Sequence, residues 1–270
     1  MQIRKPFVAN QFYPGSSDSL RHAVEGYISS AHSTAEEKAV ALIAPHAGYM
    51  YSGKTAGEAF ARVIVPESVV LIGPNHTGLG DAFAVMTKGT WETPLGNLDI
   101  DEDLAEAILD SSRLFTADTL AHEREHSLEV EMPFIYIKNP KAKIVPITVM
   151  SSSQKACEDA GAALAKAIRK HKKKTLIVVS SDMNHYESDE ITRKKDRLAI
   201  DKVLALDPEG LLKVIKEHRI TMCGAIPAAI ALYAAKELGA TKATLAGHTT
   251  SAEASGDTTY TVGYAGFVIK

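Results

Sequence analysis

Four short polar segments contain residue types that bind transition metals or transfer protons. They span residues 45–49, 73–76, 180–185 and 222–225, and together they contribute three histidines, one aspartate and one cysteine. Three of them directly follow apolar, β-type stretches. In an open α/β sheet the carboxyl ends of the strands form one rim, and ligands bind there. The sequence therefore predicts that these distant segments converge on one site.

His46 and His76 have matching positions, since each follows a predicted strand and lies beside proline and glycine. Small residues let the backbone approach a ligand closely. Two imidazoles from two strand ends are a ligand set typical of a bound transition metal. A single histidine of this kind is more often a loop residue that hydrogen-bonds to nearby backbone, but the matching pair favours a metal site.

Cys223 precedes Gly224 and a predicted helix with Pro227 in its first turn. The dipole at a helix N-terminus favours the thiolate, which is a strong ligand for iron, copper or zinc. A buried structural thiol is the competing interpretation. The local sequence leaves both open.

Asp182 and His185 are three residues apart, so both side chains face one side if a helical turn begins there. A carboxylate beside an imidazole fixes its tautomer and suits it to proton transfer. The alternative is an Asx-type cap, in which Asp182 or Asn184 binds free amides of the following helix.

Residues 122–126 match the His-Glu-x-x-His pattern of zinc metalloproteases, in which two imidazoles one helical turn apart hold the metal. The pattern lies in a predicted helix over residues 120–135. Its crowded charges indicate an exposed helix face, and no third-ligand motif follows. A zinc protease on His122 and His126 is therefore the less favoured alternative.

Strand and helix patterns alternate from about residue 39 onward, which predicts the α/β class. The expected architecture is a central mixed or largely parallel sheet with helices on both faces, forming one domain over residues 1–270. Predicted strands are 39–44, 68–72, 144–149, 175–179, 245–247 and 262–269. Predicted helices are 54–63, 104–109, 120–135, 156–170, 193–206 and 226–238.

Composition excludes several classes of protein. The 270 residues are 45% hydrophobic and 23% charged, which is typical of a globular protein that buries a large core. A formal net charge of −3 gives no attraction to nucleic acid. Cys157 and Cys223 lie in different settings, so a disulfide framework is not expected. Without a signal-like or membrane-length apolar stretch, we expect a cytoplasmic protein with no membrane partner.

Taken together, these motifs resemble the Memo family, whose archaeal and bacterial members are called AmmeMemoRadiSam system protein B. Seven segments carry the resemblance in order along nearly the whole chain: 8–14, 45–53, 73–76, 125–129, 180–186, 223–224 and 262–265. The family is similar in fold to the type III extradiol ring-cleavage dioxygenases.

The resemblance implies that His46, His76 and Cys223 are metal ligands, with His185 as an acid-base residue and Asp182 beside it. In the related dioxygenases two histidines and a carboxylate hold iron. Here a thiolate stands in place of the carboxylate. That departure shifts the expectation from ring cleavage toward an iron or copper site with oxidoreductase, dioxygenase-like chemistry, with zinc as a third option.

Further roles follow from the same resemblance. Tyr51, Phe12 and Asn75 are expected to line the substrate pocket, while Glu125 and His126 support the site from behind. The implied ligand is a small molecule or a peptide, and the resemblance implies a pathway link to a radical S-adenosylmethionine enzyme. Because animal family members are described as signalling adaptors, the alternative function is a non-catalytic peptide or protein binding module that uses the same pocket.

Overall fold

Strands and helices alternate along most of the chain. The structure is a computed structural model that describes residues 2–31 and 35–270, so Met1 and residues 32–34 of the predicted domain lie outside the described residues. The strands are β1 (Ile3–Arg4), β2 (Ala41–Ala44), β3 (Ser68–Pro74), β4 (Phe83–Val85), β5 (Thr90–Thr93), β6 (Gly96–Asp99), β7 (Thr116–Ala117), β8 (Lys143–Val149), β9 (Thr175–Ser180), β10 (His185–Glu187), β11 (Ala243–Thr250) and β12 (Thr261–Ile269). The helices are α1 (Ser17–Ser29), α2 (Tyr49–Phe60), α3 (Glu102–Ser111), α4 (Ser127–Lys138), α5 (Gln154–His171), α6 (Asp189–Leu204), α7 (Pro208–Glu217), α8 (Ala225–Glu237) and α9 (Ala252–Ser255).

A mixed sheet forms the centre of the protein. Within the described residues its strand order is β10-β12-β2-β9-β3-β8-β4-β7, and β11 also pairs with β12. Strands β2, β9, β3 and β8 run parallel, whereas β12 and β4 flank them in antiparallel orientation. Strands β2 and β3 are buried throughout, as expected for strands covered on both faces. The predicted α/β class with a central mixed sheet is confirmed.

Helices cover both faces of this sheet. Helix α5 packs against α3 and α8, and α8 contacts β2, β3 and β9. Helices α1, α2 and α4 form a separate group, in which α2 contacts β2 and α4 contacts β3 and β9. No helix in residues 2–31 and 35–270 combines the length and apolar composition of a bilayer-spanning segment.

The prediction of one helix over residues 120–135 is wrong. A short 3-10 turn covers Leu120–His122, and α4 begins only at Ser127. Arg4 explains the interruption, because its guanidinium donates to the carbonyl oxygens of His122 and Glu125, which a continuous helix would use internally. Glu125 also turns its carboxylate onto the backbone N–H of Ser127.

The other predicted helices are present with shifted ends, but α1, α7 and the short α9 are missing from the prediction. Helices α1 and α7 have recognisable N-caps, since Ser16 accepts from the N–H of Ser19 and Asp207 accepts from the N–H of Gly210. Asp207 is also followed by a proline in the first turn, which is a helix-start signal.

Arg4 fastens the N-terminal strand to the start of α4. The arginine is 6% exposed, and its Nη1 atom lies 2.7 Å from an Oε2 atom of the buried Glu129. Glu129 also accepts hydrogen bonds from the backbone of Phe7 and from the hydroxyl of Tyr13. The guanidinium lies 4.2 Å from the centroid of the Trp91 ring. These contacts hold the N-terminal arm, residues 3–13, over the loop that contains Glu125.

We expect Arg4→Ala to lower the free energy of unfolding by about 3–5 kcal/mol, because it leaves the Glu129 carboxylate buried without its cation. Chemical denaturation followed by circular dichroism measures this change. Arg21→Ala is the matched control, since the Arg21–Glu25 pair is exposed and should contribute little. Equal stability losses in the two variants would contradict the role of Arg4.

Candidate metal centre

Three neighbouring parallel strands place the predicted site residues at one edge of the sheet. Ala44 at the end of β2 pairs with Ser180 at the end of β9, and β9 pairs with β3 on its other side. His46 and His76 each follow two residues beyond the ends of their strands, β2 and β3. The predicted convergence of these segments at one rim is therefore observed.

His46 is fixed from behind by a serine. The ring is 2% exposed, and its Nδ1 atom lies 2.7 Å from the hydroxyl oxygen of Ser180. The backbone N–H of His46 donates to the Asp182 carboxylate at 2.8 Å. With Nδ1 and the backbone both held, the Nε2 atom is directed toward Cys223, whose Sγ lies 3.4 Å away.

His76 is fixed by a carboxylate instead. Its Nδ1 atom lies 2.9 Å from Oε1 of Glu125, and its backbone N–H donates to the other carboxylate oxygen. Glu125 is fully buried and also accepts from the N–H of Ser127. A hydrogen bond at Nδ1 leaves Nε2 as the free ring nitrogen, which is the arrangement common among metal-ligating histidines.

Glu125 remains a carboxylate despite its burial. Burial by itself would raise the pKa of Glu125, but the hydrogen bond and charge of His76, the N–H of Ser127 and the charge of His126 outweigh it and lower the pKa to about 2. His76 is thus backed by a full negative charge, which strengthens its donor nitrogen.

Cys223 reaches the two histidines because a glycine follows it. A Cβ atom on Gly224 would lie 2.4 Å from Cβ of Ser181 and 2.6 Å from the carbonyl oxygen of Ser180, so a larger residue cannot fit. The backbone N–H of Gly224 donates to the Ser181 hydroxyl at 3.1 Å. This close approach brings the Cys223 sulfur against the end of β9.

The three side chains have the spacing of a metal site. One ligand atom each from His46, His76 and Cys223 lies within 4.8 Å of the other two. Tetrahedral bonds of about 2.0 Å to nitrogen and about 2.3 Å to sulfur place those atoms roughly 3.5 Å apart. The 3.4 Å between His46 Nε2 and Cys223 Sγ already matches that value. His76 completes a triangle of donor atoms whose sides are all within 4.8 Å.

The protonation of Cys223 in the metal-free site depends on burial as well as on the helix dipole. Burial raises the pKa of the Cys223 thiol well above its usual range, and the charge of Asp182 raises it further. The neutral thiol therefore lies beside His46, and a cation that binds sulfur here must displace its proton.

His185 lies at the same cavity but is not oriented by Asp182. Its segment forms β10 rather than a helical turn, and Thr221 holds it: the His185 N–H donates to the Thr221 hydroxyl, and Nδ1 lies 3.0 Å from the Thr221 carbonyl. Asp182 instead accepts from the N–H of His46. Burial raises the pKa of Asp182, while its neighbours His185 and His126 act in the opposite direction.

The site opens into a cavity of about 500 Å³. Its walls include Phe12, as predicted, together with Val262 and Tyr264, which sequence reasoning missed. The predicted roles of Tyr51 and Asn75 in the wall are not observed. Tyr51 is absent from the lining and lies on α2, and Asn75 forms an Asx turn by accepting from Thr77 and Gly78.

His126 lines the same cavity beside His76, with which it forms a second candidate metal-holding group together with Glu125, and it does not form a protease-type pair with His122. Its ring stacks on that of His76 with centroids 4.6 Å apart, and the centroid of the tilted Phe12 ring lies 4.8 Å from that of His126. His122 is fully buried, and within the described residues it belongs to no group of metal-ligating side chains. Because the chain between His122 and His126 is not helical, the two imidazoles do not have the one-turn spacing that a zinc protease requires.

Fold and site together define an α/β protein with a candidate metal centre at the carboxyl rim of its parallel strands. The family model described as Memo-like protein matches residues 4–268. The chain belongs to the Memo family.

The similarity to known proteins extends over nearly the whole chain. A MEMO1 family protein of Pyrobaculum aerophilum is 39% identical over 277 residues, covering 98% of each chain. Another from Methanothermobacter thermautotrophicus is 40% identical over 275 residues, covering 97% of this chain and 99% of the relative. A solved structure of an uncharacterized protein from Escherichia coli K12 matches with a TM-score of 0.48 and 15% sequence identity. The match covers 75% of this chain and 86% of the Escherichia coli chain.

We expect Glu125→Gln to weaken binding of a divalent metal ion by about 10–100-fold, since His76 loses the charged acceptor that orients it. Isothermal titration calorimetry of the metal-free protein with the divalent metal ion measures this affinity. Glu123→Gln, an exposed change two residues away, should leave the affinity unchanged. Equal affinities for Glu125→Gln and the wild type would contradict the supporting role of Glu125.

Proposed function

We propose that the protein is a non-haem metalloprotein that holds iron or copper on His46, His76 and Cys223 and acts as an oxidoreductase on a small substrate. One observation supports this most directly. The three donor atoms lie within 4.8 Å of one another, and both imidazoles have their remaining nitrogens hydrogen-bonded, as ligating histidines do.

The ligand set favours a redox-active ion. Imidazole nitrogen suits iron, copper and zinc, while thiolate shifts preference toward softer ions such as copper(I). Three protein ligands leave coordination positions free for substrate. When bound, such an ion supplies Lewis-acid or redox chemistry. The similarity of the family to extradiol dioxygenases supports the same choice, with the cysteine as the point of departure.

Residues around the ligands have separable roles in this proposal. His185 moves a proton, because a hydrogen bond from Nδ1 to the Thr221 carbonyl leaves Nε2 as an acceptor at the cavity. Phe12 and Tyr264 line the same space and exclude water from it. Asp182 holds the backbone at His46 rather than the ring of His185.

A peptide-binding module is the second candidate, and one observation favours it. Tyr186 lies in the cavity wall with a positive φ of 64°, and its ring is 65% exposed. A bulky residue in this backbone region is unusual and is often associated with functional sites. Tyr260 is 68% exposed, with its ring centroid 6.1 Å from that of Tyr186. The pair presents an aromatic surface to a larger ligand.

Metal content tests the ligand assignment. We expect wild-type protein, loaded anaerobically with iron or copper and then desalted, to retain the ion in inductively coupled plasma mass spectrometry. His46→Ala, His76→Ala and Cys223→Ser should lose most of it, since each removes a donor. Cys157→Ser and His22→Ala are the controls, because Cys157 lies within α5 and His22 is exposed on α1. Equal metal content in all six proteins would remove the assignment.

Oxygen consumption separates the two candidate functions. With a panel of catechols, we expect the metal-loaded protein to consume oxygen and His185→Gln to be slower by about 10²–10⁴-fold while keeping its metal, as expected for a lost proton-transfer group. Thr221→Val removes one hydrogen bond to His185, so its rate of oxygen consumption should lie between those of the wild type and His185→Gln. An inactive wild type that binds peptides in calorimetry would instead support the binding module.

A further inference from the structure

The hydroxyl group of Ser180 has three polar neighbours behind the metal ligands. His46 Nδ1 lies 2.7 Å from the serine oxygen, the carbonyl oxygen of Ser127 also lies at 2.7 Å, and Oε1 of Glu131 lies at 3.2 Å. A serine hydroxyl has one hydrogen to donate and two lone pairs that accept. Three neighbours therefore use its full capacity, and each neighbour must have a defined role.

The carbonyl oxygen of Ser127 fixes the first assignment, because a carbonyl only accepts. At 2.7 Å it takes the single hydrogen of Ser180. Ser180 must then accept from His46 Nδ1, which carries the ring hydrogen. This tautomer leaves the lone pair on Nε2, the atom that faces the Cys223 sulfur.

Glu131 must donate to the remaining lone pair of Ser180. An ionised carboxylate has no hydrogen, and it would bring two electron-rich oxygens together at 3.2 Å. The second oxygen of Glu131, Oε2, has no hydrogen-bond partner within the described residues. A fully buried carboxylate with an unpaired oxygen is strongly disfavoured, whereas the neutral acid leaves a weaker acceptor unpaired.

The surroundings of Glu131 agree with this count. Burial raises the pKa of Glu131 well above its usual range, and the nearby charge of Asp182 raises it further. Glu129, two residues earlier on α4, differs in that the Arg4 guanidinium pairs with it directly. Neighbouring glutamates on one helix thus lie in opposite electrostatic environments.

We propose that Glu131 is a neutral carboxylic acid that donates a hydrogen bond to Ser180 and, through it, holds His46 in the tautomer that presents Nε2 to a metal ion. Glu131 is then a positioning residue for His46. The link to metal binding rests on the proposed function, but the assignment of the proton does not.

The two ligating histidines consequently have different support. His76 is backed directly by the Glu125 carboxylate, whereas His46 is backed by a neutral serine and a neutral acid. This arrangement keeps a second full negative charge out of the buried layer behind the site. A side chain at position 131 that donates a hydrogen bond preserves the arrangement, and an apolar one does not.

Infrared spectroscopy of the metal-free protein at about pH 7 tests the protonation state. Wild type should show the carbonyl stretch of a protonated carboxyl group, and Glu131→Gln should lack that component. Other buried carboxyl groups such as Asp182 and Asp196 cancel in the difference spectrum. Glu129→Gln is the matched control and should not remove the band. Identical protonated-carboxyl bands in wild type and Glu131→Gln would overturn the proposal.

Metal affinity tests the positioning role. Glu131→Gln keeps a donor for Ser180, so its affinity for iron(II) or copper(I) should stay close to that of the wild type. Glu131→Leu should bind about 10–100-fold more weakly, as expected when the support of a ligating histidine is lost. A loss in Glu131→Gln as large as that in Glu131→Leu would overturn the donor role. If Glu131→Leu does not fold, the infrared comparison and the Glu131→Gln affinity decide. Wild type that binds neither ion would remove the proposed function and leave the infrared result standing.

Discussion

Hydrogen bonds to the Nδ1 atoms of His46 and His76 are the constraint on which the site depends. If that nitrogen were free, each imidazole could rotate or carry its hydrogen on Nε2, and Nε2 would then no longer present a lone pair to a metal ion. Ser180 and Glu125 prevent both changes. Because the two partners are buried, water does not compete with them effectively. The ligand triangle is therefore organised in the metal-free protein.

The N-terminal arm contributes to this organisation from outside the site. Arg4 binds the carbonyl oxygen of Glu125 and thereby keeps the segment before α4 out of a helical conformation. That conformation lets the Glu125 side chain turn toward His76. A charged pair that does not line the cavity, Arg4 with Glu129, thus connects the stability of the fold to the geometry of the candidate site.

The sequence predicted the fold class and the rim of the sheet because continuous apolar strands and the polar segments after them have strong local signals. His46, His76 and Cys223 were identified for this reason, with support from the family resemblance. Side chains that depend on tertiary contacts were not predictable in this way. Nothing in the local pattern of Thr221 indicates that it holds His185, and the Arg4 guanidinium breaks a helix whose own residues favour it. The pKa of the Cys223 thiol was also not predictable from the local sequence, because burial raises it.

The long separation of the three proposed ligands along the chain sets the order in which folding and metal binding would occur. His46 and Cys223 are 177 residues apart, so a ribosome must synthesise most of the polypeptide before both exist. In zinc fingers the ion nucleates a short local structure. Here the parallel strands must pair first, and such non-local contacts form late in folding. On the proposed assignment the ligand triangle forms only once the sheet has folded, so an ion would enter a folded apoprotein through the cavity.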